Sequence, residues 1–316
     1  MLERVVAEGL IPAGTAVVAM LSGGRDSVCM TDLAVRAVGP GAVTALHVNY
    51  GLRDDSGADE RHCRSLCERL GAELAVERPQ RPEGPGNLQA WARDARYAAA
   101  AELALPRGAT IVTGHTADDQ VETILYRLAS SPSRRALLGM RPHDGSLARP
   151  LLGFTRAETT AYCEQRGLAW REDSSNAELT YARNRVRHGL LPELAKIHPA
   201  AAANVLRTAA LLRDEGEVLD ALVDAEVDGS GDSPRGAIAL ERLAALSPAL
   251  RRLVLQRLAD GAAGRPVPGA ARFAEQVTGL RRTGTAMLDL GGGVRAVVEA
   301  GVLRARREAD GPEASS

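Results

Sequence analysis

The stretch Ser22-Gly23-Gly24-Arg25-Asp26-Ser27 decides the fold of this chain. It lies between an apolar run at residues 15–21, which predicts a buried strand, and residues 28–35, which predict a helix. The two glycines permit a tight turn and let backbone N–H groups approach an anion closely. The N-terminus of the following helix adds unsatisfied N–H donors and the positive end of the helix dipole. The stretch therefore predicts a phosphate-binding loop between a strand and a helix.

The residues of this loop narrow the kind of phosphate site. The G-x-x-x-x-G-K-[ST] motif of P-loop nucleotidases is absent, and the single lysine of the chain, Lys196, lies far from the loop. The dinucleotide motif G-x-G-x-x-G is absent too, because Asp26 and Ser27 stand where its third glycine would be. The carboxylate of Asp26 could hold Mg²⁺ beside a pyrophosphate. In these residues the loop resembles that of the PP-loop ATP pyrophosphatases, which adenylate a substrate and release pyrophosphate; an ordinary strand-to-helix turn is the alternative.

The chain is long enough for two domains, and its apolar content can supply a core. The 316 residues are 45% apolar and carry a net charge of −1, so a nucleic acid would have to be bound by local groups of arginine. The four cysteines include no C-x-x-C pair and are interpreted as buried thiols, although Cys63 and Cys67 with His62 could form part of a metal site. No N-terminal signal pattern or apolar run of about 20 residues occurs, which predicts a cytoplasmic protein without a membrane partner.

Alternating apolar strands and helices predict an α/β fold with a Rossmann-like, doubly wound parallel sheet. Ligands of such sheets bind beyond the carboxyl ends of the strands. His47, Asn49 and Arg53 follow the second strand and are therefore expected near the phosphate loop, with a merely polar strand exit as the alternative. The predicted strands cover residues 15–21, 42–48, 72–76, 110–113 and 168–171.

A second polar cluster, Gly114-His115-Thr116-Ala117-Asp118-Asp119-Gln120-Val121-Glu122-Thr123, follows the strand at residues 110–113. His115 stands at the strand exit, and Asp119 and Glu122 are three residues apart at the start of a helix, so they can face the same side. Two such carboxylates could hold Mg²⁺ or a cationic amine. The alternative is that they only complement the helix dipole.

Two arginine groups complete the candidate residues. Arg93 and Arg96 share one face of a helix capped by Asn87, and a basic segment follows at residues 183–188. A solvated charged surface is the alternative for both groups.

Taken together, these blocks resemble the tRNA(Ile)-lysidine synthase family, over about the first 200 residues. Tyr50 stands where that family usually shows a histidine, and residues 130–135 replace a more glycine-rich arginine loop. The matching blocks are the phosphate loop, residues 47–53, 87–93 with 96–97, 114–123, 149–152, 173–176 and 181–188.

The resemblance implies an ATP-dependent ligase that acts in two steps. ATP adenylates the C2 carbonyl oxygen of the wobble cytidine in the CAU anticodon of an isoleucine tRNA, and the ε-amine of free L-lysine then displaces AMP. Arg96, or Arg93, would stabilise phosphoryl and leaving-group charge together with His115, while Asp119 and Glu122 would bind lysine and one of them could accept its proton. ATP binding is implied for Ser22, Gly23, Gly24, Arg25, Asp26, Ser27, His47 and Asn49, Mg²⁺ binding for Asp26, and tRNA binding for Arg93, Arg183, Asn184 and Arg187.

The implied organisation is a PP-loop catalytic domain at residues 1–195 and a helical connector and linker at 196–236. A smaller, mainly helical C-terminal domain that assists tRNA binding follows at 237–307, with a hairpin about Gly291-Gly292-Gly293 and a disordered tail at 308–316. A homodimer is a candidate assembly. The rival functions are a PP-loop tRNA thiolase, which often has C-x-x-C pairs absent here, and a non-catalytic RNA binder gated by ATP.

Overall fold

The structure, a computed structural model, describes residues 1–52, 55–81, 87–131, 134–171, 182–227 and 236–308. The chain folds into two compact units, Met1–Leu212 and Arg213–Ser316. The domain limits expected from the sequence, after residues 195, 236 and 307, stay predictions. Residues 228–235 of the predicted linker and 309–316 of the predicted tail lie outside the described residues.

The first unit alternates strands and helices, as expected. Its described strands are β1 (Val17–Met20), β2 (Val43–Val48), β3 (Glu73–Glu77), β4 (Thr110–Val112), β5 (His143–Asp144) and β6 (Leu147–Ala148). Its described helices are α1 (Leu2–Ala7), α2 (Arg25–Val38), α3 (Ser56–Leu70), α4 (Leu88–Ala104), α5 (Ala117–Ser130), α6 (Arg134–Leu137), α7 (Arg156–Gln165), α8 (Ala182–Arg185), α9 (Leu191–Ile197) and α10 (Ala201–Val227), which continues into the second unit. A π-helical turn, Val186–Leu190, joins α8 to α9.

Among the described residues, six strands form one sheet in the order β3-β2-β1-β4-β6-β5. All neighbouring pairs are parallel except β5 and β6. The chain builds the sheet outward from β1 through β2 and β3, then crosses to β4 on the other side of β1. This reversal between β1 and β4 opens a crevice at the carboxyl ends of the two strands, where ligands of such sheets bind.

Both faces of the central strand β1 are buried under helices. Val17 and Ala19 pack in a cluster with Leu33 of α2, while Val18 and Met20 pack with alanines of α4 on the opposite face. Alternate residues of a strand point to opposite faces, so this arrangement is that of a doubly wound sheet. The predicted fold class is thereby confirmed.

One predicted strand is wrong. Residues 168–171 are not paired with the sheet; instead Leu168 is buried in the core, and the backbone N–H of Arg171 donates to the carbonyl oxygen of Gly23 (3.0 Å). The segment therefore braces the phosphate loop. The short strands β5 and β6 were not predicted, because two residues carry no periodic signal.

The described part of the second unit combines helices with an antiparallel sheet of four strands, in the order β7-β10-β9-β8. The predicted hairpin is present as β8 and β9, and Gly292 and Gly293 have φ of +63° and +76°, which a two-residue turn of this kind requires. The elements are β7 (Ala237–Ala239), α11 (Leu240–Ala245), α12 (Pro248–Ala263), α13 (Ala274–Thr278), β8 (Thr285–Gly291), β9 (Val294–Glu299) and β10 (Val302–Arg307). In the described part of the chain, no helix has the length and apolar character needed to cross a membrane.

Candidate active site

The two polar clusters predicted from the sequence meet at the crevice between β1 and β4. The phosphate loop follows β1, and the segment that begins at Gly114 follows β4. A β-carbon placed on Gly114 would lie 2.8 Å from the carbonyl carbon and oxygen of Asp26 and 2.9 Å from the nitrogen of Ser27. The two clusters are thus in backbone contact, and they form one site.

The phosphate loop is held in shape by its own serines. The backbone N–H of Ser22 donates to Oγ of Ser27 (3.2 Å), and the Ser27 hydroxyl donates to the carbonyl oxygen of Gly24 (2.7 Å). Gly23 has a φ of +87°, a conformation that favours glycine. The loop therefore has a fixed backbone at the N-terminus of α2, which suits an anion.

Asp26, the candidate magnesium ligand, lies in the first turn of α2. Its Oδ1 accepts a hydrogen bond from the hydroxyl of Thr159 on α7 (2.6 Å) and one from Nε of Arg25 (3.1 Å). Among the described residues, its Oδ2 accepts only a longer contact, from Arg25 (3.3 Å). Oδ2 is thus the oxygen with acceptor capacity to spare.

The residues at the end of β2 make polar contacts with the end of β1 and with α3. His47 is buried, and its Nδ1 lies 3.0 Å from the carbonyl oxygen of Leu21 and 3.4 Å from Sγ of Cys63. The side-chain amide of Asn49 donates to Glu60 of α3 (3.1 Å). Arg53 lies outside the described residues. His47 therefore joins the end of β2 to the end of β1, and Asn49 joins the end of β2 to α3.

His115 is uncharged at neutral pH. Its Nδ1 lies 2.8 Å from the hydroxyl of Thr113. Burial lowers the pKa of His115 from 6.5 to about 4, helped by the nearby guanidinium groups of Arg149, Arg183 and Arg96, while Asp119 acts in the opposite direction. The side chain is therefore suited to hydrogen bonding and does not itself add a positive charge in the free protein.

Asp119 and Glu122 face the same side of α5, as predicted, but arginines already pair with them. Thr116 caps α5 and donates its N–H and hydroxyl to Oδ2 of Asp119 (2.8 and 2.9 Å). Arg156 donates to Oδ1 of Asp119 (2.7 Å) and to Oε1 of Glu122 (3.0 Å), and Nε of Arg187 donates to the same oxygen of Glu122 (2.7 Å). Burial alone would raise the pKa of Asp119, but Arg156 and the Thr116 hydrogen bonds outweigh it and lower the pKa.

Arg96, Arg149 and Arg183 lie close enough to His115 to lower its pKa, and Arg93, Arg149 and Arg183 act on Arg127 in the same way. Among the described residues, none of these arginines makes an ion pair, and the Nε atoms of Arg96 and Arg149 are buried without a hydrogen-bond partner. Mutual repulsion adds to burial in lowering the pKa of Arg127. Such uncompensated positive charge predicts an anionic ligand. The group, called the arginine cluster below, comprises Arg93, Arg96, Arg127, Arg149 and Arg183.

The remaining predicted residues lie around this cluster. Arg93 stacks over the ring of Tyr97 (4.9 Å from its centroid), and Arg183 donates to the hydroxyl of Thr123 on α5 (3.0 Å). Tyr50 donates to the carbonyl oxygen of Ala92 (2.8 Å) and thereby fixes the start of α4. Asn184 is half-buried in α8, while residues 173–176 and Tyr181 lie outside the described residues.

Comparison with known proteins identifies the family to which the chain belongs. The sequence profile of the PP-loop domain family matches residues 2–194. The tRNA(Ile)-lysidine synthase of Mycolicibacterium paratuberculosis is 38% identical over 77% of this chain and 75% of its own length. That of Nocardia farcinica is 36% identical over 97% of this chain and 96% of its own length.

The chain belongs to the tRNA(Ile)-lysidine synthase family. It spans only about half of the length of some other curated members, 58% for that of Methylococcus capsulatus and 48% for that of Pseudomonas fluorescens. A solved structure, the U34-tRNA thiolase NcsA from Methanococcus maripaludis, has the same fold: the TM-score is 0.57 at 18% identity, over 67% of this chain and 78% of the thiolase.

The sequence patterns did not identify the residues that donate hydrogen bonds to the predicted carboxylates. Arg156 and Thr159 of α7 contact Asp119, Glu122 and Asp26, yet no local motif marks them. Arg149 lies within the block 149–152, which carried the resemblance, but no role was assigned to it. Arg149 directly follows β6, a strand next to β4, but a strand of two residues gives no periodic signal in the sequence.

Proposed function

We propose that this chain is a tRNA(Ile)-lysidine synthase, an ATP-dependent ligase that forms a carbon–nitrogen bond between free L-lysine and an isoleucine tRNA. ATP adenylates the C2 carbonyl oxygen of the wobble cytidine in the CAU anticodon, and pyrophosphate leaves. The ε-amine of lysine then attacks C2, and AMP leaves with the oxygen. The product reads the codon AUA in place of AUG.

The observation that carries this proposal is the contact of Gly114 with Asp26 and Ser27. It brings a pyrophosphate-binding loop next to a histidine, two carboxylates and a group of arginines. Both half-reactions need groups from this one crevice, because the adenylated base must remain in place while the amine attacks.

We assign the phosphates of ATP to the backbone donors of the phosphate loop, with His47 and Asn49 as further ATP-binding candidates. Asp26 fits a magnesium ligand, since its Oδ2 has one long contact in the described part of the chain, and a single carboxylate with substrate phosphates is a common Mg²⁺ environment. When bound, Mg²⁺ would neutralise charge on the departing pyrophosphate.

The arginine cluster supplies the positive charge that both steps need. Arg96 and Arg149 have buried Nε donors without a partner among the described residues, which suits the negative charge that develops on the phosphoryl group and on the leaving AMP. His115, being neutral, would donate a hydrogen bond there. Arg93, Arg183, Asn184 and Arg187 remain the candidate contacts to the tRNA.

The state of the cysteines weighs against a thiolase. All four are buried free thiols. Burial raises the pKa of Cys63 to about 12 and of Cys67 to about 11, and hydrogen bonding to Cys163 together with burial raises that of Cys29. Cys163, whose pKa the same hydrogen bond lowers, is itself inaccessible. Persulfide chemistry needs an accessible thiolate.

Reduced thiols and a tRNA substrate fit a cytoplasmic enzyme. The homodimer stays a prediction.

The test is to incubate the purified protein with ATP, Mg²⁺, radiolabelled lysine and isoleucine tRNA transcripts that carry CAU or GAU anticodons. We expect label in the CAU transcript alone, with AMP formed in equal amount. Pyrophosphate release without lysine incorporation would indicate another nucleophile, and neither activity would indicate an RNA binder.

A further inference from the structure

The ring of Tyr97 on α4 faces two guanidinium groups of the arginine cluster. Cζ of Arg93 lies 4.9 Å from the ring centroid, and Cζ of Arg96 lies 5.6 Å from it. Both distances are within the range of a cation–π interaction, in which the negative face of an aromatic ring attracts a cation. Arg93 and Tyr97 are four residues apart and share a face of the helix. One ring therefore contacts both arginines.

The ring holds these two guanidinium groups in place of a carboxylate. Among the described residues, Arg93 and Arg96 make no ion pair and no side-chain hydrogen bond, and Nε of Arg96 is buried without a partner. Arg156, by contrast, is held by an ion pair with Asp119. Among the described contacts, the ring of Tyr97 is therefore the one that can fix the direction of both guanidinium groups.

The ring itself is fixed to the sheet. Tyr97 packs against the apolar cluster that includes Met20 of β1 and Leu46 of β2, and Val48, the last residue of β2, packs against the same cluster. The hydroxyl of Tyr97 is buried and has no hydrogen-bond partner in the described part of the chain. The contacts of Tyr97 are therefore made by its ring and not by its hydroxyl.

The guanidinium of Arg96 acts on groups at both sides of the phosphate loop. Burial lowers the pKa of His115, which follows β4, and the positive charge of Arg96 adds to this effect. Burial raises the pKa of Tyr50, which follows β2, and Arg96 opposes that rise. Because β1 lies between β2 and β4, this guanidinium lies near the end of β1, where the phosphate loop begins.

We propose that Tyr97 is a positioning residue for Arg96: its ring, fixed to the sheet, holds the guanidinium in the orientation that stabilises the phosphoryl group during adenylation, with Arg93 held on the same ring. The inference rests on the proposed function and adds a residue to it. A donor that is already oriented needs no reorganisation when charge develops in the transition state. Loss of the ring should therefore slow adenylation.

The experiment compares Tyr97→Leu, which removes the ring but keeps an apolar side chain, with Tyr97→Phe, which keeps the ring. Pyrophosphate release in a single turnover with the CAU transcript, saturating ATP, Mg²⁺ and no lysine reports adenylation. We expect Tyr97→Leu to lower this rate about five- to thirtyfold, the effect of a partly desolvated cation–π contact. Tyr97→Phe should stay within about twofold of the wild type.

A double-mutant cycle separates positioning from a general effect on the fold. In the Arg96→Gln background, Tyr97→Leu should change the adenylation rate by less than about twofold, because the guanidinium through which the ring acts is already absent. In the Arg93→Gln background, Tyr97→Leu should still slow adenylation about fivefold or more. Phe273→Leu is the matched control: it removes a ring that lies under Arg272 (4.6 Å) in the second unit and should leave the rate unchanged.

Equal slowing by Tyr97→Leu in the wild type and in the Arg96→Gln variant would assign the ring to the fold alone and would overturn the inference. Equal slowing by Tyr97→Phe and Tyr97→Leu would assign the effect to the hydroxyl and overturn it too, as would an unchanged rate in Tyr97→Leu. In these cases wild-type lysine incorporation still supports the proposed function. If the wild-type protein releases no pyrophosphate with the transcript, the proposed function fails and takes the inference with it.

Discussion

Gly114 is a residue where the backbone leaves no room for a side chain. The atoms that a β-carbon would meet, at 2.8–2.9 Å, belong to the backbone of Asp26 and Ser27, so they cannot move aside by a change of rotamer. We expect Gly114→Ala to destabilise the first unit by about 1–3 kcal/mol and to raise the KM for ATP. Urea unfolding followed by tryptophan fluorescence measures the first effect, since Trp91 and Trp170, the two tryptophans, both lie in that unit.

Gly41→Ala is the control for this substitution. Gly41 has open space where a β-carbon would lie, and its φ is outside the left-handed region. The variant should unfold within about 0.5 kcal/mol of the wild type. If Gly114→Ala also unfolds within about 0.5 kcal/mol of the wild type, the segments that follow β1 and β4 are not in contact.

His115 makes the stability of the first unit depend on pH in a known direction. Its pKa is about 4 in the folded protein and 6.5 as a free side chain, so the folded state binds fewer protons between these values. The stability contribution is complete above pH 6.5 and is lost as the pH falls toward 4. Between pH 7.5 and pH 5, the wild type should lose about 2 kcal/mol more than His115→Asn.

The measurement is the same urea unfolding at both pH values. His143→Gln, which changes an exposed histidine of β5, serves as control and should lose as much stability as the wild type. A wild type and a His115→Asn variant that respond alike to acid would mean that the imidazole is not held neutral.

The predicted residues of the phosphate loop and of the cluster after β4 share one property: each group follows a strand that the sequence makes visible. The glycines of the phosphate loop and the polar run after β4 stand directly behind apolar strands, so their place at one edge of the sheet follows from topology. Arg156 and Thr159 stand on a helix whose position depends on the packing of the whole unit. Their residue types give no local signal, because an arginine or threonine at the start of a helix is ordinary.

At the scale of elements, the first turn of α7 links the two halves of the proposed reaction. Thr159 donates to Asp26 of the phosphate loop, and Arg156, three residues earlier, donates to Asp119 and Glu122. Residues three apart lie on the same side of a helix, which explains how one turn reaches both groups. A shift of α7 would therefore change nucleotide binding and lysine binding together.

Thr159→Val tests the nucleotide side of this link. It removes the hydroxyl that lies 2.6 Å from Asp26 Oδ1 while it keeps the volume of a fully buried side chain. A hydrogen bond to a charged group is worth about 1.5–3 kcal/mol, so we expect the KM for ATP and Mg²⁺ to rise about tenfold or more. The KM for lysine should stay within about twofold.

Thr160→Val is a closely matched control, one residue further along the same helix. Its hydroxyl donates only to the carbonyl oxygen of Arg156 (2.8 Å) among the described residues. Steady-state kinetics with varied ATP at fixed lysine, and the reverse, separate the two constants. Equal effects of the two substitutions on ATP would remove Thr159 from the positioning of Asp26.

The elements themselves were predictable where their periodic signal was long. Strands β1, β2 and β4 are apolar runs with turns on both sides, and α4 begins after Asn87, whose side chain accepts from the N–H of Ala90 (3.2 Å) as a helix cap. Residues 168–171 have the composition of a strand, but the hydrogen bond of Arg171 with Gly23 replaces sheet pairing. Tertiary contacts of this kind override local preference.

At the scale of the whole molecule, a net charge of −1 gives no general attraction to RNA. The arginine cluster concentrates positive charge at the carboxyl edge of the sheet, where the proposed chemistry takes place. Other arginines stand at the opposite edge, as Arg69 and Arg107 do shortly before β3 and β4 begin. The placement of arginine, more than its number, should therefore decide where a tRNA binds.

The salt dependence of tRNA binding tests this placement. Each phosphate that an arginine neutralises adds about 0.7–0.9 to the slope of log Kd against log salt concentration. The double variant Arg93→Gln/Arg183→Gln should weaken binding of the CAU transcript and reduce the slope by about 1.5. Arg69→Gln/Arg107→Gln changes the net charge equally at the opposite edge and should leave the slope near that of the wild type. If both double variants reduce the slope alike, tRNA responds to net charge alone; if only the first does, the anticodon is brought to the crevice by the same charges that serve the reaction.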